Sequence, residues 1–228
     1  MPLRNGTPKK TLLRGRHMNL LLHICCACCL CAPLREMRKE GFRVTGLFYN
    51  PNIHPLLEFR KRLKALRVFQ ESDPIPVIYH DEYGLREYLK HVDYEGNDRC
   101  ADCYTMRLRF TAAYARENGF DAFTSTMLFS VYQNHEQLKM FSENLAHEYG
   151  VAFVYRDYRY LSECSHDIAR EKMIYRQGYC GCVFSEYERY KDTTREVYKG
   201  NKPQSGDKEG NHKGLDTKDV LQRCDCFE

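Results

Sequence analysis

Cysteine is concentrated in the segment His23–Cys31, HICCACCLC, which places five thiols within seven residues. Packing does not explain this, because one small apolar residue would fill the space of each thiol equally well. Thiols that are crowded in this way cross-link, bind metal or carry out redox chemistry. The whole chain has 12 cysteines among 228 residues, and their spacing distinguishes between these uses.

Two further cysteine motifs follow in the sequence. The first lies about 70 residues after the crowded segment, and the second lies about 80 residues after the first. The C-x-x-C motif Cys100–Cys103 stands just before a predicted helix, where one helical turn brings both sulfurs to one side and the helix N-terminus favours the thiolate. The C-x-C motif Cys180–Cys182 places both sulfurs on one face if the backbone is extended. Only folding can bring these motifs to the first segment.

The adjacent pair Cys25 and Cys26 adds a geometric expectation. Consecutive side chains in extended backbone point to opposite sides, so this pair is expected to reach two neighbouring centres rather than one, unless a tight turn intervenes.

Cysteines in three separate segments indicate one metal site rather than three unrelated features. Soft thiolates select zinc, copper(I) or iron–sulfur clusters. A structural zinc takes four ligands, whereas at least six thiols are present here. A cuboidal iron–sulfur cluster uses four thiolates, which leaves others for a second metal or a redox dithiol. A structural zinc-binding module and a thiol-based redox sensor remain as alternatives.

Composition bounds the class of protein. Apolar residues make up 43% of the chain, and no run of about 18 apolar residues indicates a membrane span. The first 17 residues are basic and lack the apolar region of a secretory signal, so we expect a cytoplasmic protein without a disulfide framework. The formal net charge is +4, of which this basic segment supplies five positive charges.

The pattern of apolar residues predicts a single α/β catalytic domain over 18–199, preceded by a basic flexible arm over 1–17 and followed by a flexible tail over 200–228. Short apolar runs predict strands at 19–24, 44–49, 76–80, 122–126 and 151–156. Longer stretches predict helices at 33–41, 55–71, 85–91, 103–118, 133–149, 165–177 and 184–198. This alternation is typical of a mostly parallel sheet flanked by helices.

Ligands of such sheets bind beyond the carboxyl ends of the strands. The five crowded cysteines follow the first predicted strand directly, so we expect the active site there.

Five motifs together resemble the epoxyqueuosine reductase QueH family, over about residues 20–189. In chain order they are HICCA at 23–27, FYNPNIHP at 48–55, RCADC at 99–103, FTSTML at 123–128 and YRQGYCGCVFS at 175–185. The resemblance implies an HUP (nucleotide α-hydrolase)-like fold. It also implies reduction of the epoxide of epoxyqueuosine, in the wobble position of tRNA, to a cyclopentene with release of water.

The resemblance further implies a [4Fe-4S] cluster, an adjacent mononuclear iron and an external electron donor. The positions that match the family's cluster-associated cysteines are Cys25, Cys26, Cys100 and Cys103. Cys29 matches a further iron ligand, although the departure at Cys28 leaves open which of Cys28 and Cys29 supplies it. Cys180 and Cys182 match a pair that binds iron or acts as a redox dithiol. The family usually has proline where this chain has Cys28, and no role is assigned to Cys28, Cys31, Cys164, Cys224 and Cys226.

Polar residues near the strand ends are candidates for substrate binding: Tyr49, Asn50, Asn52, His54, Ser125, Thr126, Arg176 and Gln177. An Asn-Pro turn is the structural alternative for the residues before Pro55. Asp102 is either a local acid or a helix cap.

The predicted partner is the anticodon loop of tRNA, and no membrane is involved. The loop after the first strand has no glycine to cradle a phosphate, so we expect no ATP. An ATP-dependent iron–sulfur tRNA sulfur-transferase of related fold is the nearest rival enzyme.

Overall fold

The computed structural model describes residues 18–96 and 98–193. The predicted arm over 1–17, the predicted tail over 200–228 and the cysteines Cys224 and Cys226 lie outside the described residues. The predicted last helix also runs beyond them.

Five parallel strands form one sheet in the order β3-β2-β1-β4-β5. The strands are β1 (Asn19–His23), β2 (Arg43–Tyr49), β3 (Val77–His80), β4 (Ala122–Ser125) and β5 (Ala152–Phe153). The helices are α1 (Cys31–Lys39), α2 (Leu56–Ser72), α3 (Leu85–His91), α4 (Arg99–Glu117), α5 (His135–Tyr149), α6 (Ser162–Glu171) and α7 (Val183–Tyr190). The predicted α/β class with a parallel, helix-flanked sheet is confirmed.

Both faces of the sheet are buried, and β1 shows this most clearly. Its side chains alternate between two clusters: Leu20 and Leu22 pack with Phe48 and Phe59, whereas Leu21 packs on the other face. Leu47, Leu108, Phe123 and Leu138 belong to that second cluster. Successive residues of a strand point to opposite faces, so a strand that is covered on both sides must be apolar throughout.

Helix α4 begins earlier than predicted. Its first residue is Arg99 rather than Cys103, because the Asp98 side chain caps the helix by accepting a hydrogen bond from the Ala101 amide at 3.0 Å. Both cysteines of the C-x-x-C motif therefore lie inside the helix, Cys100 as its second residue and Cys103 as its fifth. Asp102 is not the cap, and its carboxylate accepts from the Asp93 amide at 2.9 Å.

Helix α6 ends earlier than predicted, at Glu171 instead of Gln177. Met173 follows with a φ of 51°, and the Ile174 amide closes the end by donating to the Ala169 carbonyl at 2.8 Å. The chain from Ile174 to Cys182 is therefore irregular, and it returns across the carboxyl end of the sheet.

The strand order reverses direction on either side of β1, which pairs with β2 on one edge and with β4 on the other. Such a switch point opens a crevice at the carboxyl ends of the two strands. His23 and Ser125 are register partners there, and a hydrogen bond of 2.9 Å joins His23 Nδ1 to Ser125 Oγ. None of the helices in the described parts of the chain is long and apolar enough to cross a membrane.

Candidate metal centre and substrate cavity

A cavity of about 680 Å³ lies at this carboxyl edge of the sheet. Cysteines from all three sequence motifs line it: Cys25, Cys28, Cys29, Cys100, Cys103, Cys180 and Cys182. The fold thus brings together thiols that are more than 70 residues apart in sequence. A volume of this size is in the range of small-molecule sites.

The tightest group of thiols is formed by Cys25, Cys26 and Cys29, whose Sγ atoms all lie within 4.8 Å of one another. In the described residues no other three potential metal ligands approach so closely. The Sγ atoms of Cys25 and Cys26 are 3.9 Å apart, and the Cys29 amide donates to Cys26 Sγ at 3.3 Å. The expectation that Cys25 and Cys26 point to opposite sides is therefore wrong, because a tight turn follows β1.

Two polar side chains contact this trio. Thr126, directly after β4, accepts a hydrogen bond from the Cys25 amide at 3.0 Å and donates its hydroxyl to Cys25 Sγ at 3.2 Å. Gln177 donates from Nε2 to Cys26 Sγ at 3.0 Å and to Cys29 Sγ at 3.7 Å. These contacts orient the sulfurs and supply the hydrogen bonds that stabilise thiolates.

The C-x-x-C motif contributes one exposed and one buried thiol. Cys100 is exposed, whereas Cys103 is buried and packs in a small cluster with Tyr88, Val92 and Cys182. Helix α4 and the C-x-C segment thus pack in one buried cluster that contains a cysteine from each.

The C-x-C segment adopts a backbone conformation that depends on its glycine. Gly181 has a φ of +150°, and a Cβ placed there would lie 3.1 Å from Asn52 Nδ2 and 3.3 Å from Arg62 Nη1. Only glycine fits this conformation and this close approach. The Arg62 guanidinium donates to the carbonyls of Tyr179 and Cys180 at 3.0 and 2.8 Å, which anchors the chain directly before Gly181.

Burial controls the acidity of most of these thiols. It raises the pKa of Cys103 to about 12 and that of Cys28 to about 11, and it holds the pKa of Cys26 well above its usual value. Hydrogen bonds from the neighbouring thiols of Cys26 and Cys29 hold the pKa of Cys25 well below its usual value. Metal binding to this set therefore releases protons.

Three of the predicted substrate-binding residues line the cavity: Asn52, Arg176 and Gln177. Asn52 and Gln177 each keep a buried side-chain oxygen, Asn52 Oδ1 and Gln177 Oε1, without a hydrogen-bond partner in the described part of the protein. Arg176 is exposed at the mouth.

The other five predicted residues do not line the cavity. Thr126 supports the cysteine loop, and Asn50 does the same by donating to the Ile24 carbonyl at 2.8 Å, whereas Ser125 bonds His23 at the end of β1. Tyr49 donates to Glu87 Oε1 at 2.5 Å. His54 is buried against the rings of Tyr83 and Tyr88.

Several cavity residues escape prediction from the sequence. Tyr88 is completely buried, and within the described residues its hydroxyl has no partner. Gln133 donates to Cys180 Sγ at 3.3 Å. Arg107 is buried beside the cysteines although it stands in an ordinary amphipathic helix, and nothing in the sequence separates it from the exposed Arg109.

The mouth of the cavity is basic and aromatic. Arg99, Arg176 and Arg189 line it, whereas Arg107 lies deeper in the cavity, and the one carboxylate among the described lining residues is Glu188, which pairs with Arg99. Val131 and Tyr132 also line the mouth and are 56% and 81% exposed.

This donor set fits a thiolate-bound metal. The ligand atoms are soft sulfurs, three of them already converge, and side-chain donors face the sulfurs. Both Cys100 and Cys180 stay exposed, unlike the ligands of a closed structural site.

Comparison with known proteins gives a consistent result. The family model described as "Epoxyqueuosine reductase QueH" matches residues 20–188. A protein of that name from Dehalococcoides mccartyi is 42% identical over 171 residues, which cover 75% of this chain and 94% of the relative. The protein of that name from Thermotoga maritima is 35% identical over 180 residues, covering 75% of this chain and 91% of the relative. A third relative of that name, from Histophilus somni, is 36% identical over 187 residues, covering 78% of this chain and 76% of the relative.

Proposed function

The chain belongs to the epoxyqueuosine reductase QueH family, and on that premise we propose that it reduces the epoxide of epoxyqueuosine in tRNA to the alkene of queuosine. The reaction consumes two electrons and two protons, breaks both C–O bonds of the epoxide, forms a C=C bond and releases water. The observation that carries the proposal is the convergence of three cysteine motifs on one cavity.

We assign a [4Fe-4S] cluster to Cys25, Cys26, Cys100 and Cys103, and an adjacent iron or a redox dithiol to Cys29, Cys180 and Cys182. The compact group of Cys25, Cys26 and Cys29 supports including Cys29 among the ligands. When bound, such metals supply single electrons and polarise the epoxide oxygen. An external donor provides the electrons.

The chain's own polar groups suit a nucleoside in this cavity. The side-chain oxygens of Asn52 and Gln177 and the hydroxyl of Tyr88 are buried without partners in the described residues. Leaving such atoms unsatisfied costs about 1–3 kcal/mol each, and a ligand with hydroxyl and amine groups removes that cost. We therefore assign these three side chains to holding and orienting the flipped nucleotide, away from bulk water.

The mouth suits RNA. Arg176 and Arg189 form no ion pair in the described part of the chain, so both are available to phosphates. Tyr132 presents an exposed ring on which an anticodon-loop base can stack.

The rival sulfur-transferase is disfavoured by the loop after β1. The amides of Cys25, Cys29, Leu30 and Cys31 already donate to acceptors within the protein. They are therefore engaged and do not point at a nucleotide phosphate. The substrate-sized cavity likewise favours catalysis over a structural zinc module.

The test is anaerobic incubation of iron-reconstituted protein with epoxyqueuosine-containing tRNA and a reductant, followed by mass spectrometry of the nucleosides. We expect conversion to queuosine by the wild type and by Cys31→Ser, because Cys31 lies outside the cavity and its thiol donates to the Ala27 carbonyl at 3.2 Å. Cys180→Ser should lose the activity. Unchanged epoxyqueuosine with fully reconstituted wild type would overturn the proposal, and ATP-dependent incorporation of sulfur would establish the rival.

A further inference from the structure

Arg107 is a buried cation beside the cysteine cavity. Arg107 is 2% exposed, and it lies on α4 one turn after Cys103. Its Nε donates to the Cys103 carbonyl at 3.1 Å. In the described part of the chain no carboxylate forms an ion pair with it.

Arg62 is a second buried arginine, and its charge is compensated by a carboxylate. It is 1% exposed, and it pairs with Glu58 at 2.7 Å while donating to two main-chain carbonyls. A buried guanidinium is costly unless an anion compensates it. Arg62 has its anion within the protein, whereas Arg107 has no carboxylate.

Arg107 lines the same cavity as cysteines from all three motifs, among them Cys25, Cys103 and Cys180. Negative charge on any of these thiols, or on Tyr104, favours the charged guanidinium and raises the pKa of Arg107. Arg107 is therefore near the point where the three motifs meet. These sulfurs become anionic together when they bind a metal.

We propose that Arg107 is the counter-charge of the thiolate-bound iron group, a positioning residue that stabilises its negative charge and raises its reduction potential. The proposal rests on the proposed function only in taking iron as the metal. A fixed positive charge stabilises the reduced form, which carries one more electron, more than the oxidised form. Loss of the charge should therefore weaken iron binding and lower the potential.

The experiment compares the full-length wild type with Arg107→Met, Arg107→Lys and the control Arg109→Met, all reconstituted anaerobically with ferrous iron and sulfide. Arg109 stands two residues along the same helix, is half exposed and pairs with Glu148. Iron affinity is measured by competition with a chelator and midpoint potential by spectroelectrochemistry, both without tRNA.

Arg107→Met should bind iron about 10–100-fold more weakly, the range seen for residues behind metal ligands. Its reduction equilibrium should shift about tenfold toward the oxidised form, which is about 59 mV for one electron. Arg107→Lys keeps the charge and should retain most of the wild-type potential. Arg109→Met should match the wild type in both measurements.

Metal-free protein gives a second readout that does not depend on loading. Because the methionine removes a buried charge that lacks a carboxylate partner, metal-free Arg107→Met should be at least as stable to urea as metal-free wild type. Iron should then stabilise the variant less than it stabilises the wild type.

A lower stability of metal-free Arg107→Met with an unchanged potential would overturn the proposal and make Arg107 a structural residue. Unchanged iron affinity and potential would also overturn it, and a loss of tRNA binding, measured separately, would then show that the guanidinium meets a substrate phosphate. Since iron affinity, potential and stability are measured without tRNA, the proposal can fail while the wild type still reduces epoxyqueuosine, and the converse also holds.

Discussion

Thr126 holds Cys25 from two directions. Its Oγ1 accepts from the Cys25 amide at 3.0 Å and donates to Cys25 Sγ at 3.2 Å, which joins the ends of β1 and β4 across 101 residues of sequence. The strand that carries the cysteine loop is thus tied to its neighbour at the switch point of the sheet.

Replacing this hydroxyl tests its role. Thr126→Val keeps the shape of the side chain but removes both hydrogen bonds, so it should destabilise the protein by about 1–3 kcal/mol and raise the pKa of Cys25. Iron binding should weaken accordingly. Urea unfolding and iron competition measure the two effects. Thr126→Ser restores the hydroxyl and should behave like the wild type, whereas wild-type behaviour of the valine variant would refute the role.

Gly181 is expected to tolerate no side chain. In Gly181→Ala the new Cβ meets Asn52, Arg62 and Ile53 at 3.1–3.3 Å, and the φ of +150° is strained for alanine. We expect a loss of about 1–3 kcal/mol in the free energy of unfolding, together with reduced iron content.

Gly150→Ala provides the matched control. Gly150 also has a positive φ, of 62°, but a Cβ there meets nothing within 4 Å. It should cost only about 1 kcal/mol and leave the iron content unchanged. Equal effects of both variants on iron content would show that the close approach at Gly181 does not matter.

The buried thiols make the metal-free protein sensitive to alkali. Burial raises the pKa of Cys103 from its ordinary value of 9.0 to about 12. The folded state therefore keeps a proton that the unfolded chain releases, so its stability is full below pH about 9 and falls as the pH rises toward about 12. Urea unfolding across this range should show the fall. Cys103→Ala should show a shallower fall, and an identical pH dependence would contradict the assignment.

The two unpaired arginines at the mouth should bind RNA through its phosphates. Arg176→Gln combined with Arg189→Gln should weaken binding of unmodified tRNA and lower the slope of log affinity against log salt by about 1 per lost contact. Arg109→Gln, away from the cavity, is the control. Filter binding at several salt concentrations measures both quantities. A variant with the wild-type slope would place the RNA elsewhere.

The sequence predicts the sheet well because its strands are covered on both faces. Leu20–Leu22 must all be apolar in a parallel sheet of this kind, and that signal is local. The same holds for the placement of the first cysteines at the end of β1, since any residue after a central strand lies at the carboxyl edge.

What the sequence does not predict depends on tertiary contacts. The start of α4 is decided by the Asp98 cap, and the expected start at Cys103 was late by a turn. The expectation that the side chains of Cys25 and Cys26 point to opposite sides was also wrong. A tight turn follows the strand, and the Leu30 amide stabilises it by donating to the Ala27 carbonyl. Arg107 is buried where three segments that are distant in sequence come together. No local sequence pattern indicates this burial.

The most direct test of the account is the iron content of variants from different motifs. Iron and sulfide are quantified after anaerobic reconstitution of Cys25→Ser, Cys103→Ser and the control Cys31→Ser. We expect the first two to lose most of the iron, because both thiols line the same cavity, and the control to match the wild type. Full iron content in Cys103→Ser would contradict the claim that the separate cysteine motifs hold one metal group.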